Sequence, residues 1–191
     1  MVINYLILVN KENKIPDNRE EKIKLIETKN VFNETIRVEK RTLEKFNELM
    51  GNLLKDNVYI QLDSGHRSIK KQANIWNKFK KEYGIDYVKK YVAVPWYSEH
   101  HTALAVDICI KKDWILICEN DDMIKEIKIL KKIHENLADY GFILRYPKWK
   151  ENITWYSYEP RHLRYIDNVD IAKKIYKNWE TLEEYLNNIK K

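Results

Sequence analysis

Glycine and proline are scarce, four of each in 191 residues. A chain so poor in both is neither collagen-like nor a low-complexity linker. With 44% hydrophobic residues it has the composition of a globular protein, not a disordered one. Apolar runs are short, and none is long enough to cross a bilayer. No basic arm, RNP-like aromatic motif or zinc-finger spacing accompanies the formal charge of +6. The excess of lysine and arginine therefore reads as a solvated surface and not as a nucleic-acid site. A mild positive field still favours the approach of a carboxylate-bearing peptide. There are only two cysteines, Cys109 and Cys118, and no Cys-x-x-Cys, which argues against a thiolate zinc site. Both lie in apolar runs and read as buried free thiols, and nothing in their spacing demands a disulfide. Residues Met1 to Val9 lack the basic start and small-residue cleavage site of a secretion leader. They read as a first strand, and the expected compartment is the cytoplasm.

Periodicity sketches the rest. Residues 10–37 are polar and irregular, apart from a short edge strand at Ile23 to Ile26 and a charge-dense patch at Arg19 to Lys24. Leu43, Phe46, Leu49, Met50 and Leu53 recur at helical spacing within Glu39 to Leu54. Val58 to Asp63 alternates and reads as a strand. A helix over Ser68 to Tyr83, with Ile69, Ala73, Trp76 and Phe79 inward, is closed by Gly84. A short helix over Asp86 to Val92 follows. Leu104 to Ile110 and Trp114 to Cys118 read as a hairpin. One helix from Asp121 to Tyr140 has Ile124, Ile127, Leu130, Ile133 and Leu137 inward and ends at Gly141. Phe142 to Arg145 and His162 to Ile166 are the last strands. Helices over Asp170 to Trp179 and Leu182 to Ile189 close the chain, the second opened by a capping box of Thr181 and Glu184. The expectation is a single α+β domain over residues 1–191, with a small, mainly antiparallel sheet flanked by helices.

The densest chemistry lies in Ser98-Glu99-His100-His101-Thr102-Ala103-Leu104-Ala105-Val106-Asp107. A carboxylate on a buried strand is costly unless paired or bound to a metal. Far downstream comes Glu159-Pro160-Arg161-His162. Together the two stretches offer two imidazoles, one ligating carboxylate and one spare carboxylate. That is the donor set of a catalytic zinc site with an open position and a general base. Spacing alone does not choose between His100 and His101. Of the other histidines, His134 reads as solvent-facing and His66 as structural or part of a pocket wall.

Ser98, His100, Ala105 and Asp107 fit the S-x-H-x-x-G-x-A-x-D signature of the LAS zinc peptidases, and Glu159 and His162 fit that family's E-x-x-H. Leu8-Val9-Asn10-Lys11, Ser64-Gly65-His66-Arg67-Ser68, Gly141 to Pro147, Ser157 to Tyr165 and Trp179 to Tyr185 resemble, in order, the VanY/VanXY branch of D-alanyl-D-alanine peptidases. The resemblance implies one Zn²⁺ held by His100, Asp107 and His162, and Glu159 as the base that moves a proton from water to the leaving amine. It places Arg67 in the substrate pocket, beside the developing oxyanion or the terminal carboxylate. Ser98 and Gln72 are further candidates for substrate contacts, and Arg161, which shares a face with Glu159 if the segment is extended, is a third, read from the residues and not from the resemblance. Ser98 reads equally as an N-cap, and Arg161 as a partner of a loop acid.

Three positions depart from the pattern. Ala103 stands where the family has glycine, Trp96 replaces a glycine after Pro95, and Arg161 replaces a tryptophan. The implied activity is hydrolysis of the bond before a C-terminal D-alanine, in D-Ala-D-Ala or in peptidoglycan precursors. Such an activity lowers the pool of vancomycin-binding termini. The rivals are an L,D-carboxypeptidase, a phage-type peptidoglycan endopeptidase, and a non-catalytic wall-peptide-binding module on the same fold.

Overall fold

The computed structural model describes residues 3–17 and 23–190. The strands are β1 (Leu25–Lys29), β2 (Thr35–Glu39), β3 (Tyr59–Ser64), β4 (Ala105–Lys112), β5 (Ile115–Ile117), β6 (Phe142–Leu144) and β7 (His162–Tyr165). The helices are α1 (Lys40–Lys55), α2 (Ile69–Tyr83), α3 (Ile85–Tyr91), α4 (Asn120–Met123), α5 (Ile127–Asn136), α6 (Glu151–Thr154), α7 (Val169–Asn178) and α8 (Leu182–Asn188). Short 3-10 turns occupy Glu99–Thr102 and Leu137–Tyr140. β1 and β2 form a separate hairpin, and the main sheet runs β3-β4-β7-β6 with β5 on β4, every pair antiparallel. The fold is α+β, as the sequence implies.

Alternation along the strands gives the sheet two different faces. Ile60, Leu62, Val106, Ile108, Ile110, Phe142, Leu163 and Tyr165 enter one apolar core with Phe46, Leu49 and Leu53 of α1 and Leu130 and Ile133 of α5. On β4 and β7 the intervening residues Asp107, His162 and Arg164 are buried and polar. They make the opposite face a place for chemistry. Local signals set the helix ends. Thr181 and Glu184 form the expected capping box, and Gly84 and Gly141 follow α2 and the second 3-10 turn at positive φ.

Four expectations change. The first strand is absent over residues 3–9, and Met1 and Val2 lie outside the described residues. The carbonyls of Tyr5 and Ile7 accept instead from the guanidinium of Arg164. Residues 25–39 form a hairpin, β1 with β2, where an irregular stretch with one edge strand was expected, while residues 19–22 of the charge-dense patch lie outside the described residues. The long helix at 121–140 is broken between α4 and α5, where Glu126 is held by Lys112. The break turns Met123 into the core and leaves Ile127 outward at 71% exposure. Finally, Cys109 and Cys118 form a disulfide and are not free thiols. The β4–β5 register pairs Ile110 with Ile117, so the next residues outward face each other, with their Cα atoms 4.4 Å apart.

Candidate metal centre and its cleft

Strand register brings the first two donors together. Asp107 on β4 stands opposite His162 on β7. Directly opposed residues project from the same face, and Asp107 Oδ1 lies 3.3 Å from His162 Nδ1. The third donor comes from the 3-10 turn before β4, where His100 Nε2 lies 3.2 Å from Asp107 Oδ2. That turn ends at Ala103, which takes a left-handed conformation at φ 59°. The family's glycine therefore corresponds here to a position where alanine is strained.

Each imidazole is held by its far nitrogen. His100 Nδ1 donates to the carbonyl of Gly65 at 2.8 Å, and His162 Nε2 donates to Glu99 Oε2 at 2.9 Å. Those partners assign the tautomers and turn one nitrogen of each ring toward Asp107. Gly65 is needed for this, because a Cβ there would lie 2.6 Å from the carbonyl oxygen of Arg37. His101 turns elsewhere. Its Nδ1 lies 2.5 Å from the Arg67 carbonyl, and its Nε2 accepts from the Trp96 amide at 3.2 Å. Trp96, at positive φ, is thereby part of the clamp that fixes this loop.

One atom from each of His100, Asp107 and His162 lies within 4.8 Å of the others. Two nitrogens and an oxygen suit Zn²⁺, and bonds of about 2.0 Å would set tetrahedral ligands about 3.3 Å apart. Each imidazole lies at that spacing from one Asp107 oxygen, His100 from Oδ2 and His162 from Oδ1. The electrostatics agree. Burial raises the Asp107 carboxyl, but His100 and His162 outweigh it and hold it well below its ordinary range. Burial and the Arg67 charge lower His100 to about 4, so it is neutral and able to ligate. Burial also lowers His162, but hydrogen bonds to Asp107 and Glu99 prevail and raise it to about 9. A metal bound there would displace a proton from Nδ1.

Glu159 lies just before β7, its amide donating to the Tyr146 carbonyl at 3.1 Å. Its Oε2 is 3.9 Å from His162 Nδ1. Burial and Asp107 raise its carboxyl to about 7 against the pull of His162, which suits a proton acceptor near neutral pH. Arg67 Nη2 is 3.6 Å from Asp107 Oδ2, and its Nη1 donates to Gln72 Oε1 at 3.0 Å. Gln72 in turn donates to the Ala93 carbonyl at 2.7 Å. Both ends of its amide are thus engaged, and it braces Arg67. Arg161 donates to the Cys118 carbonyl at 2.6 Å and pairs with Asp63, which sits at the bulge in β3. Its charge is therefore shared with a strand acid inside the cleft. Ser98 is buried in the cleft wall and makes no capping bond. His66 also lines the cleft. His134 is half-buried, not solvent-facing, and donates from Nε2 to the Pro160 carbonyl at 3.0 Å.

The cleft has a volume of about 920 Å³ and includes Thr35, Ile36, Arg37, Tyr156 and Tyr158 beside the residues above. Sequence reasoning missed the polar layer behind it, Glu99, Arg145, Arg164 and Glu183. The available signal was Arg164, a charge between Leu163 and Tyr165 on a buried strand.

Residues 35–168 match the family profile described as VanY, D-alanyl-D-alanine carboxypeptidase. The chain is 39% identical over 130 residues to the bifunctional D-Ala-D-Ala dipeptidase and D-Ala-D-Ala carboxypeptidase VanXYC of Enterococcus gallinarum. That match covers 66% of this chain and 65% of the relative, so the shared part spans less than two thirds of that protein. Among solved structures, the LdcB LD-carboxypeptidase superposes with a TM-score of 0.83 at 34% identity, over 96% of this chain and 86% of that one. A point mutant of the vancomycin resistance D,D-pentapeptidase VanY from a VanB-type resistance cassette, in complex with Zn(II), superposes with a TM-score of 0.77 at 32% identity, over 95% and 98%.

Proposed function

The chain belongs to the VanY D-alanyl-D-alanine carboxypeptidase family, and on that basis we propose a zinc-dependent D,D-peptidase acting as a single domain. It hydrolyses the bond before a C-terminal D-alanine, in D-Ala-D-Ala or in peptidoglycan peptides ending in it. The observation that carries this reading is the donor triad His100, Asp107 and His162 with Glu159 beside it. A non-catalytic module has no need of that carboxylate.

His100, Asp107 and His162 would hold a zinc ion, which when bound would supply a Lewis acid for the scissile carbonyl and for water. Glu159 takes the proton from the attacking water and delivers it to the departing amine. Arg67, braced by Gln72, presents its guanidinium to the charge that develops on the carbonyl oxygen. Ser98 and Arg161 line the cleft, where they contact the peptide.

Among the described residues no helix is long and apolar enough to cross a membrane. The Cys109–Cys118 disulfide favours an oxidising compartment over the cytoplasm expected from the sequence. There the substrates are D-Ala-terminated wall peptides.

The test is to incubate the zinc-loaded protein with D-Ala-D-Ala, a pentapeptide and a tetrapeptide and to identify the products. Release of D-alanine from the dipeptide, the pentapeptide or both is expected. Release from the tetrapeptide alone makes the protein an L,D-carboxypeptidase, a reading favoured by the likeness to LdcB. Cleavage of an internal cross-link alone makes it an endopeptidase.

A further inference from the structure

Behind His162 lies a chain of charges that the proposed reaction does not use. Glu99 Oε2 accepts from His162 Nε2 at 2.9 Å. Its Oε1 accepts from Arg145 Nε and from Arg164 Nη1, each at 2.7 Å. The two remaining nitrogens of Arg145 grip Glu183 of α8 in a fork, at 2.9 and 2.7 Å. Glu183 Oε1 also accepts from Asn10 Nδ2 at 3.1 Å. Arg164 Nη2 completes the set by donating to the carbonyls of Tyr5 and Ile7, each at 2.8 Å. The side chains of Glu99, Arg145 and Arg164 are all 0% exposed.

We propose that Glu99, Arg145 and Glu183 form a relay of positioning residues that holds His162 for the metal, so that α8 is a working part of the metal site. The proposal rests on the metal reading above and extends it to a part of the chain outside the matched residues 35–168.

The physical case has three parts. First, a ligating imidazole is oriented and made more basic by the acceptor on its other nitrogen, and loss of such partners typically costs 10–100-fold in metal affinity. Glu99 is that acceptor. Second, Glu99 is shared with two guanidiniums. Two carboxylates and two guanidiniums balance in formal charge, so each carboxylate is needed to keep the buried set neutral. Neutralising Glu183 leaves one uncompensated positive charge, and both guanidiniums then draw on Glu99 at the expense of His162. Third, the fork between Arg145 and Glu183 fixes the plane of the guanidinium. Without it Arg145 loses the geometry that aims Nε at Glu99. A buried ion cluster that only glued α8 to the sheet would affect stability and leave the metal untouched.

The experiment separates those roles. Glu183→Gln removes the charge and keeps the volume. Glu183→Asp keeps the charge on a shorter arm. Leu182→Ala, at the neighbouring fully buried residue of α8, loosens the same helix without touching the relay. Zinc affinity is measured by competition with a chromophoric chelator, the ligand field by the visible spectrum of the Co²⁺-loaded protein, and stability by thermal melting. Glu183→Gln is expected to weaken zinc about tenfold and to alter the cobalt spectrum. Glu183→Asp is expected to fall between it and the wild type, and it carries the test if the Gln variant does not fold. Leu182→Ala is expected to lower the melting temperature with zinc affinity and cobalt spectrum unchanged. Wild-type zinc affinity in both Glu183 variants overturns the relay. So does a Leu182→Ala protein that loses zinc as readily as Glu183→Gln. A wild-type protein that binds no zinc fails the metal reading itself, a result distinct from either.

Discussion

Replacing Glu159 by glutamine is expected to remove turnover and, in the metal-free protein, to add stability above neutral pH. Glutamine keeps the shape and still hydrogen-bonds water but cannot take its proton. Loss of a general base typically costs 10²–10⁴-fold in rate. The stability effect follows from the carboxyl being raised from 4.5 to about 7. Between those values the folded protein holds a proton that the unfolded chain has released. The folded state therefore binds more protons, and stability falls as pH rises through this window. Each unit is worth about 1.4 kcal/mol, so the ceiling is about 3.5 kcal/mol. The Glu159 side chain is 23% exposed, and solvent screening reduces the effect to about 1–2 kcal/mol. Glutamine carries no charge to bury, so the variant should match the wild type at pH 4 and exceed it at pH 8. Urea unfolding of chelator-treated protein at the two pH values reads this. Zinc should shrink the difference, because a cation beside the carboxylate favours its ionised form. A variant with normal peptide hydrolysis would remove Glu159 from the mechanism. Equal stability of the two proteins at pH 8 would refute the buried, proton-holding carboxyl.

Reducing the Cys109–Cys118 bond, which closes a loop of sequence separation 9, is expected to cost at most about 2–3 kcal/mol by chain entropy. Melting with and without reductant, and of the Cys109→Ala/Cys118→Ala double variant, checks this, and no change in either would show that the bridge contributes nothing. Ala103→Gly relieves a left-handed alanine worth about 1–2 kcal/mol of strain and returns about half of that as unfolded-chain entropy. A small rise in melting temperature is expected, and a fall would mean that the buried Ala103 methyl group contributes more than the strain costs. Arg161→Trp, which restores the family's usual residue and leaves Asp63 without its cation, is expected to raise KM severalfold with kcat little changed. A shift of the pH–rate profile at constant KM would instead make Arg161 an electrostatic neighbour of Glu159, whose pKa its charge lowers.

Most helix ends are legible because each is signalled within a few residues. Thr181 and Glu184 cap α8 from inside one turn, and Gly84 ends α2 with its own backbone. Spacing leaves His100 and His101 open, and the choice of His100, like that of Glu159 as base, comes from the resemblance to the LAS peptidases. The hairpin β1–β2 is legible only in part, at Leu25 and Ile26, because its strands are five residues each with two apolar residues apiece, and contacts outside it hold it, with the carbonyl of Arg37 receiving the His66 amide. The break between α4 and α5 was invisible because Ile124 and Ile127 keep helical spacing across it, while Lys112 of another element holds Glu126.

From the sequence came the kinds of group available, imidazoles and carboxylates in two short stretches, each a property of residue type, while the resemblance supplied the roles proposed for them. The structure assigned their partners. It set Asp107 against His162 by strand register, turned two apparently free thiols into a disulfide, and joined Arg161 to Asp63. It also brought Asn10 to Glu183 across 173 residues and led that contact through Arg145 and Glu99 to a metal ligand. Pairing among buried charges depends on which side chains the packed core brings within about 3 Å. No local pattern encodes that distance, so those partners emerged only once the sheet and its covering helices were assembled.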